Sequence, residues 1–579
     1  MEIKQRHSDH ETTLDDSIHP VLKSIYAARG VVTPEQLRLD LADLLPPDAL
    51  KHSHEAAVLL ANAMEKGCKI LVVGDFDADG ATSCALFLLV LKAMGYTQAD
   101  FLVPNRFEYG YGLTPEIVAV AQQSSPDLIV TVDNGIASHS GVIQARKAGI
   151  DVLVTDHHLP AETLPDASCI VNPNQPGCDF SSKSLAGVGV VFYVMCALRK
   201  ELRQRDWFGS RHIQEPNMAI FLDLVALGTV ADVVPLDQNN RRLVKYGLGI
   251  IRSGKGRPGI RMLLDVAGRD PSRVVASDLG FAAGPRLNAA GRLDDMSFGI
   301  HCLMEDNTSK ARDMALVLDG MNRDRRQIEQ DMQAQALEAL SHLDVVDPDQ
   351  LGICLYDPGW HQGVIGILAS RIKERYHRPC IVFADAGMDA GGNPLIKGSA
   401  RSVEGLHIRD ALDLLATTHP DILSHFGGHA MAAGMSIHRA HFEAFSVAFE
   451  QVLQQVVDSD DLKQVCLVDG ELGNDCLTLE FAAVLRESGP WGQHFPEPVF
   501  LGEFSVISSR VVGAKHLKLT LQLPGSDELI DGIAFNVEEQ IREAELSRLS
   551  LVYRLDVNEF RGHVNPQLMV EHIVDYKAH

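Results

Sequence analysis

The chain has 579 residues, which is too long for a single hydrophobic core and predicts three or four domains. Hydrophobic residues make up 46% of the chain and charged residues 22%, an ordinary composition for a globular protein. The net charge of -25 argues mildly against a simple polyanion-binding protein, although residues 251–261 form a local run with basic side chains and no acid.

The same composition argues against a membrane or secreted protein. The first residues, MEIKQRHSDHETTLDDS, contain no apolar segment of the kind that a signal peptide needs. The most apolar helical pattern, at residues 84–95, is too short to cross a bilayer. The 10 cysteines show no CxxC pair and no metal-finger spacing, which is typical of reduced thiols. We therefore expect a cytoplasmic protein.

After an N-terminal segment at residues 1–45, an α/β domain is expected over residues 46–315. Short apolar strands are predicted at 69–75, 127–135 and 151–158, and helical patterns lie between them, for example at 114–122 and 138–148. Buried strands that alternate with helices predict a doubly wound parallel sheet.

Three further regions follow in chain order. Residues 316–345 have apolar side chains at helical spacing among many charges, which predicts a long, exposed connecting helix. A second α/β pattern fills residues 346–455 and includes the glycine-rich segment 424–436. Residues 465–579 alternate apolar and polar side chains, which predicts a small antiparallel β-barrel.

Acidic and imidazole side chains follow the ends of the predicted strands in the first α/β domain. Because the carboxyl ends of parallel strands share one edge of the sheet, these side chains are expected to meet there. Carboxylates and imidazoles without thiolates suit Mn²⁺ or Mg²⁺, and their number suits two ions about 3.5–4 Å apart, as in phosphoryl-transfer enzymes. The residues are Asp75, Asp77, Asp79, Asp133, Asp156, His157, His158 and Asp232.

Each of these residues also has a simpler interpretation. A single aspartate at a strand end usually closes a turn or caps a helix, and that holds for Asp133 and Asp232 taken alone. A pair of histidines is more often a satisfied surface or core feature than a metal site. Three aspartates within five residues at 75–79 are harder to explain without a cation, since like charges repel. The residues therefore indicate a dimetal phosphohydrolase, without specifying the phosphoester.

The segments that carry these residues resemble a known family. The motifs DFDADG, PNR, VDNG, DHH and GTVAD are similar, in order, to those of the DHH phosphoesterase superfamily. GPRLNAAGRLDD, WHQGVIGILASRIKE, GSARS and FGGHAMAAG resemble the single-strand-specific DNA exonucleases of that superfamily, over nearly the whole chain. The resemblance implies a DHH catalytic domain at 46–315, a connecting helix at 316–345, a DHH-associated domain at 346–455 and an oligonucleotide-binding-like barrel at 465–579.

The resemblance also implies roles for individual residues. Two Mn²⁺ or Mg²⁺ ions would be held by Asp75, Asp77, Asp79, Asp133, His157 and Asp232, with Asp75 either a direct ligand or a support for one. His158 would face the scissile phosphate, and Asp156 would orient its neighbours. The implied substrate contacts are Arg106, Arg286, Asn288, Ser399, Arg401 and His429.

The substrate contacts have alternatives too. A loop arginine such as Arg106 is more often solvated, and the glycines before His429 could simply form a tight helix-entry turn. Ser399 and Arg401 pair a hydroxyl with a forked cation, a combination that suits a terminal 5′ phosphate. In the barrel, Phe504, Phe535 and Tyr553 are each more readily explained as core than as stacking platforms.

The implied activity is degradation of single-stranded DNA from 5′ to 3′ into 5′-mononucleotides, in repair and recombination. The resemblance implies a single-stranded-DNA-binding protein and a helicase as partners, and we expect a monomer without membrane contact. One alternative is a DHH enzyme for small phosphodiesters or pyrophosphate, which would not need residues 465–579. Another is a non-catalytic strand-binding scaffold, which would be expected to have lost metal ligands.

Overall fold

The computed structural model describes residues 2–8, 11–104, 112–342, 350–389, 391–423, 425–457, 462–513, 515–560 and 562–578. The chain divides into two compact units. The first consists of Met1–Ile3 and Gly320–Cys466, and the second of Lys4–Asp319 and Leu467–His579. Within the described residues, no helix combines the length and hydropathy that a membrane span requires.

Strands and helices alternate along much of the chain. The strands are β1 (Glu2–Gln5), β2 (Ile70–Gly74), β3 (Ala99–Leu102), β4 (Leu128–Val132), β5 (Asp151–Thr155), β6 (Cys169–Val171), β7 (Ile353–Tyr356), β8 (Cys380–Met388), β9 (Pro394–Arg401), β10 (His425–Gly428), β11 (Ala432–His438), β12 (Val465–Val468), β13 (Phe500–Val512), β14 (His516–Gln522), β15 (Leu529–Ala534), β16 (Leu546–Phe560) and β17 (His563–Ala578). The helices are α1 (Pro20–Ala27), α2 (Pro34–Leu37), α3 (Ser53–Lys66), α4 (Ala78–Ala93), α5 (Pro115–Gln122), α6 (His139–Lys147), α7 (Gly187–Gln204), α8 (Trp207–Arg211), α9 (Leu222–Ala231), α10 (Gln238–Arg252), α11 (Pro258–Val266), α12 (Ala276–Asp278), α13 (Gly284–Leu293), α14 (Ser297–Met304), α15 (Thr308–His342), α16 (Ile365–Tyr376), α17 (Ile408–Thr418), α18 (Phe442–Val456), α19 (Leu479–Glu487) and α20 (Glu539–Glu543).

The second unit contains the predicted parallel sheet, with five strands in the order β3-β2-β4-β5-β6. Every residue of β2 and β4 is buried, as expected for strands covered on both faces. Apolar side chains of α5 and α6 pack on one face of the sheet. Helices α4, α7 and α9 pack against one another. The sequence did not reveal β3 and β6, because both are short and β3 is only partly buried.

The long helix α15 is where the structure differs most from the sequence-based expectation. The sequence predicts an exposed helix, but one stripe along it is buried, and that stripe includes polar side chains. Arg325 donates to both Glu329 and Asn322, at 2.7 and 3.2 Å, and Arg371 of α16 donates to the same Glu329 at 3.0 Å. The stripe comprises Leu318, Asn322, Arg325, Glu329, Met332 and Ala336. The prediction of an exposed helix is therefore wrong for this face, because its buried polar residues look solvated in the sequence.

The first unit is an α/β fold around a mixed sheet in the order β10-β11-β9-β8-β7. β7 and β8 are parallel, while β8, β9, β11 and β10 pair antiparallel. Apolar side chains of α17 and α18 pack in one core with the sheet, and those of α16 pack in another with β7 and β8. The glycine-rich segment forms the β10–β11 hairpin, so it is not the helix-entry turn that was its alternative interpretation.

The C-terminal region forms a closed barrel in the order β13-β14-β15-β17-β16, which confirms the predicted barrel. The expectation that it is antiparallel throughout is wrong for one pair, because β15 and β17 run parallel. Phe504 and Tyr553 lie in its core, at 2% and 1% exposure, as the alternation suggests. Phe535 is half exposed beside the ring of His516, so the expectation of a core position is wrong for this residue.

The basic run at 251–261 makes several contacts within the protein. Arg257 forms an ion pair with the buried Asp223, which also accepts the backbone N–H of Arg257 at 2.8 Å. Arg252 donates to the carbonyl of Val274 at 2.8 Å and lies 3.4 Å from Glu487. These contacts account for two of the arginines structurally, without DNA.

A buried ion pair joins the N-terminal segment to the C-terminal region within the second unit. Arg29 donates to both oxygens of Asp469, at 2.6 and 2.9 Å, and both side chains are 1% exposed. Asp469 also accepts the Val499 N–H at 2.9 Å. The substitution Asp469→Ala would leave the guanidinium of Arg29 buried without its carboxylate, so we expect the free energy of unfolding of this unit to fall by about 3–5 kcal/mol.

Chemical denaturation checks this expectation. The control is Asp16→Ala, which removes the fully exposed partner of Lys23 and should change the stability by less than about 1 kcal/mol. If the two substitutions lowered the free energy of unfolding equally, the buried ion pair of Arg29 and Asp469 would not contribute the stability expected of it.

Candidate metal centre

The register of the parallel sheet brings the predicted site residues to one edge. Gly74 of β2 pairs with Val132 of β4, and Val132 pairs with Thr155 of β5. Each of these paired residues is the last of its strand, so Asp75, Asp133 and Asp156 follow at neighbouring positions along the edge.

The first aspartate cluster is shaped by the start of helix α4. Asp77 is the N-cap residue, and its Oδ1 accepts the N–H groups of Asp79 and Gly80 at 2.9 and 3.0 Å. A side chain at Gly80 would lie 2.4 Å from the backbone carbonyl of Asp75, so this close turn requires glycine. The cap therefore fixes the path on which all three aspartates lie.

Asp79 is held by a second helix. Its two carboxylate oxygens accept the N–H groups of Gly187 and Val188, at 2.6 and 2.9 Å, in the first turn of α7. Burial and the nearby charge of Asp77 nevertheless raise the pKa of Asp79 to about 7. Its negative charge is thus disfavoured unless a cation is present.

Asp133 and Asp232 are placed by irregular backbone and by a helix end. Asp133 has a φ of 63°, in the left-handed region that aspartate and asparagine tolerate better than most residues. Asp232 is the C-cap residue of α9. Burial, and then the charges of Asp79 and Asp77, raise the pKa values of both carboxyls well above the ordinary value. These groups form a concentration of negative charge that a divalent cation would stabilise.

His157 faces both of these carboxylates. Its Nε2 lies 3.1 Å from Oδ1 of Asp133 and 3.5 Å from Oδ2 of Asp232. The backbone carbonyl of His157 accepts the amide of Asn174 at 2.6 Å, which fixes this segment. These three side chains come from the ends of two strands and one helix, and their nitrogen and oxygen atoms lie close together. Ligands of one shared metal ion would have this arrangement.

Asp156 organises the histidine segment. Its Oδ1 accepts the N–H groups of His157 and His158 at 2.7 and 3.1 Å and lies 2.7 Å from Nδ1 of His158, while its Oδ2 accepts the Ile136 N–H at 2.8 Å. Burial alone would lower the pKa of His158, but the hydrogen bond and charge of Asp156 outweigh it and raise the pKa to about 9. Asp156 therefore sets the orientation of the His158 ring.

Three overlapping groups of donor atoms have the spacing that a metal ion needs. Within each group, the donor atoms lie within 4.8 Å of one another. The groups are Asp133 with His157 and His158, Asp79 with His157 and Asp232, and Asp75 with Asp77 and Asp133. Carboxylate oxygens with a minority of imidazole nitrogens suit Mn²⁺ and Mg²⁺, and burial and neighbouring carboxylates raise the pKa values of Asp79, Asp133 and Asp232, which a cation would lower. These residues fit divalent cations.

Two residues that sequence reasoning missed position this centre. The Nδ2 of Asn134 donates to the carbonyls of Val73 and Val132, at 3.1 and 2.9 Å, and so ties the ends of β2 and β4 together. Gly187 brings the start of α7 against Asp133. The only sequence signal was that Asn134 directly follows Asp133, and for Gly187 there was none.

The close approach of Gly187 gives a testable expectation. A Cβ at this position would lie 2.6 Å from Cβ and 2.7 Å from Oδ1 of Asp133, so Gly187→Ala must displace the carboxylate. Misplacement by about 1 Å can cost about 10²-fold in rate, and we expect a loss of metal-dependent hydrolysis of that order.

Initial rates of hydrolysis at saturating Mn²⁺ measure this loss. The control is Gly249→Ala in α10, where a Cβ would meet nothing within 4 Å. Alanine should be tolerated there or slightly stabilise the helix. Full activity of Gly187→Ala would contradict the expectation.

The predicted substrate residues of the second unit have contacts within the protein. Arg286 is buried, donates to the carbonyl of Ala282 at 2.7 Å and forms an ion pair with Asp319 at 2.7 Å. Asn288 accepts the Ala78 N–H at 2.7 Å, which links α13 to the aspartate turn. Their contact with substrate stays a prediction. Arg106 lies outside the described residues.

The first unit brings Ser399 and Arg401 together on β9. Arg401 donates to Ser399 Oγ at 3.1 Å and to the carbonyl of Ala400 at 2.7 Å, and burial lowers its pKa. A Cβ at Gly366, in the first turn of α16, would lie 2.9 Å from both side chains. His429 is exposed in the β10–β11 hairpin, where its N–H donates to the Ala432 carbonyl at 2.8 Å. The pair and the helix N-terminus form an arrangement that suits an anion.

Comparison with known proteins identifies the family. Residues 69–229 match the model of the DHH family N-terminal domain, residues 349–455 that of the DHHA1 domain, and residues 468–572 that of the RecJ OB domain. The chain is 52% identical over 571 residues to the single-stranded-DNA-specific exonuclease RecJ of Dickeya dadantii, covering 98% of each chain. It is 50% identical to the Escherichia coli protein of the same name, covering 99% of each. The chain belongs to the RecJ family.

Solved RecJ structures have the same fold. The crystal structure of RecJ from Thermus thermophilus in complex with Mn²⁺ matches 97% of this chain and 77% of that one, with 30% identity and a TM-score of 0.78. The Mg²⁺ complex of the same protein gives a TM-score of 0.73. The predicted fold class, with DHH, DHHA1 and barrel domains and a long connecting helix, is confirmed by these matches and by the structure.

Proposed function

We propose that this chain is a single-strand-specific DNA exonuclease. It would hydrolyse phosphodiester bonds from 5′ to 3′ and release 5′-mononucleotides. Membership of the RecJ family supports the substrate, and the barrel at the C-terminus supports a polymeric strand over a small phosphodiester. The ligand residues are all present and close together, which disfavours a scaffold that has lost activity.

The overlap of the donor groups carries the proposal of two ions. Asp133 belongs to two of the three groups, and so does His157, whereas one ion could not accept all of these donors. We assign Asp75, Asp77, Asp79, Asp133, His157 and Asp232 as the residues that would hold two Mn²⁺ or Mg²⁺ ions. When bound, such ions activate a water molecule and stabilise the leaving oxygen in phosphoryl chemistry.

The chain's own residues would then orient the substrate. His158, fixed through Nδ1 by Asp156 and favoured in its protonated form, would contact a non-bridging oxygen of the scissile phosphate. In the other unit, Ser399 and Arg401 would receive the terminal 5′ phosphate, with the N–H groups of the first turn of α16 as further donors. A receptor for that end explains why degradation would begin there. His429, Arg286, Asn288 and Arg106 stay proposed substrate contacts.

The proposal extends to the setting of the reaction. Family membership supports a role in DNA repair and recombination, where a helicase would supply single strands and a single-stranded-DNA-binding protein would cover them. Co-purification of each partner with the full chain, with and without single-stranded DNA, tests that part separately.

One experiment tests the activity and its direction together. A single-stranded oligonucleotide with a 3′ label is incubated with Mn²⁺ or Mg²⁺, beside an Asp77→Ala control and a chelator control. We expect a ladder that shortens from the 5′ end and is absent in both controls. An oligonucleotide that stays intact under all conditions would overturn the proposal in favour of a small substrate, and equal cleavage of duplex DNA would overturn its strand specificity.

A further inference from the structure

The two histidines of the metal centre lie in a segment without helix or strand, so side chains must hold its backbone. His157 and His158 come after the end of β5, where the hydrogen bonds of the sheet stop. Backbone polar groups that are removed from water need partners. Asp156 accepts the N–H groups of both histidines, and two asparagines bond their carbonyls. Asn174 donates to the carbonyl of His157 at 2.6 Å. Asn172 donates to the carbonyl of His158 at 2.9 Å.

The topology of the parallel sheet brings Asn172 to the centre. Thr155 of β5 pairs with Val171 of β6, and each is the last residue of its strand. Asn172 therefore follows at the same edge of the sheet as Asp156, for the same reason that the strand-end aspartates meet there. The side chain of Asn172 is 0% exposed. Because a buried amide needs hydrogen-bond partners, the contacts of Asn172 are part of the fold at this edge.

The two asparagines belong to one turn, residues 172–174, which we call the asparagine turn. The Oδ1 of Asn172 accepts the backbone N–H of Asn174 at 2.7 Å, as asparagine commonly does in turns. The Nδ2 of Asn174 also donates to the carbonyl of Lys183 at 3.2 Å. Lys183 in return donates from Nζ to the carbonyl of Pro173 at 2.7 Å. The turn is thus anchored by contacts other than those to the histidines, so its two amides can hold the histidine carbonyls in place.

We infer that Asn174 and Asn172 are positioning residues with different tasks, Asn174 for the metal and Asn172 for the phosphate. This inference rests on the proposed function, in which His157 would hold an ion and His158 would contact the scissile phosphate. Each amide fixes the backbone of one histidine and so the direction in which its ring leaves the backbone. The loss of a group that supports a metal site from outside its ligands changes metal affinity or activity by about 10- to 100-fold.

Mn²⁺ binding without substrate tests the task of Asn174. Asn174→Ala removes the donor to His157 and keeps the backbone N–H that Asn172 accepts. Electron paramagnetic resonance distinguishes free from bound Mn²⁺, so a titration of the full chain gives the dissociation constant. We expect this constant to rise by about 10- to 100-fold. Because the lost property is affinity, saturating Mn²⁺ should restore most of the rate of hydrolysis.

The rate at saturating Mn²⁺ tests the task of Asn172. Asn172→Ala removes the donor to His158, so the rate on a single-stranded oligonucleotide should fall by about 10- to 100-fold. Saturating Mn²⁺ should not restore this rate, because the misplaced group would be His158 rather than a metal ligand. If the alanine variant does not fold, Asn172→Asp takes its place, since it keeps the size of the side chain and the oxygen that Asn174 bonds.

Gln175→Ala is the matched control, directly after the asparagine turn. Gln175 is 3% exposed, and its Nε2 donates to the carbonyl of Ile170 at 3.1 Å. The variant therefore also loses a buried amide that bonds backbone, but this amide holds β6 rather than a histidine. We expect a lower melting temperature, with Mn²⁺ affinity and the rate at saturating Mn²⁺ at wild-type values. If loss of local stability were the only effect, all three variants would behave alike.

The outcomes distinguish the two proposals. A wild-type chain that binds Mn²⁺ but leaves single-stranded DNA intact contradicts the proposed function, and the task of Asn172 falls with it. A wild-type chain that degrades the DNA, while saturating Mn²⁺ restores both asparagine variants or neither, overturns the division of tasks alone. Asparagine variants that match Gln175→Ala in Mn²⁺ affinity and in rate would overturn the inference as a whole, and the asparagine turn would then only stabilise the fold.

Discussion

Asp133→Asn is expected to reduce hydrolysis of single-stranded DNA by about 10³-fold or more, equivalent to about 4 kcal/mol of lost transition-state stabilisation. Asp133 contributes to two donor groups, so one substitution would weaken both proposed ion sites. Asparagine keeps the size of the side chain and tolerates the left-handed backbone of this position. The loss can therefore be attributed to the missing charge rather than to a distorted loop.

The same substitution should have the opposite effect on the stability of the metal-free protein. Burial and neighbouring carboxylates raise the pKa of Asp133, so the metal-free fold loses stability as the pH rises from the ordinary carboxyl pKa to the raised value, and that loss is then complete. Asparagine avoids that loss, and the metal-free melting temperature should be equal to or higher than that of the wild type. Added Mn²⁺ should raise the melting temperature of the wild type more than that of the variant.

Thermal melts with and without Mn²⁺, together with initial rates, check both parts. Asp206→Asn is the matched control, because Asp206 is also an aspartate in the left-handed region, with a φ of 53°, but is exposed at the start of α8. Its rate and its response to Mn²⁺ should match the wild type. If Asp133→Asn lost activity while keeping the full stabilisation by Mn²⁺, Asp133 would not be a metal ligand.

The arrangement of the strand-end aspartates could be predicted because it depends on a general rule. Parallel strands end at one edge, so Asp75, Asp133 and Asp156 had to approach one another whatever the details of the loops. The β-barrel was predictable for a similar reason, since alternation of apolar and polar residues gives the strands directly. In both cases, the residues within each strand and directly after it are enough to predict the structure.

The supporting contacts could not be predicted, because they join residues far apart in the chain. Asn288 caps the aspartate turn through Ala78, and nothing near either residue indicates the other. The two N–H groups that hold Asp79 come from α7, a helix whose start has no conventional side-chain cap. The prediction that α15 is exposed was wrong for a different reason. Its arginine and glutamate satisfy each other across one helix turn, and a sequence pattern counts them as solvated.

Arg401→Ala is expected to remove the preference for a 5′-phosphorylated strand. Among the described residues, no carboxylate lies within ion-pair distance of Arg401, yet burial lowers its pKa, so its charge is uncompensated beside Ser399 and the N-terminus of α16. An anion is the partner that this arrangement lacks. Hydrogen bonds to a charged group contribute about 1.5–3 kcal/mol, which corresponds to a loss of about 10- to 150-fold on 5′-phosphorylated DNA. A strand with a 5′ hydroxyl should be degraded at nearly the wild-type rate.

Rates on paired oligonucleotides that differ only in the 5′ group measure this preference. Arg401→Lys keeps the charge but loses the fork that can hold two phosphate oxygens, so its preference should be intermediate. Arg375→Ala is the matched control, because Arg375 is exposed in the last turn of α16, at the end opposite Gly366. An Arg401→Ala variant that slowed equally on both strands would show that Arg401 supports the fold or the strand in general. The 5′ polarity would then have to originate elsewhere in the chain.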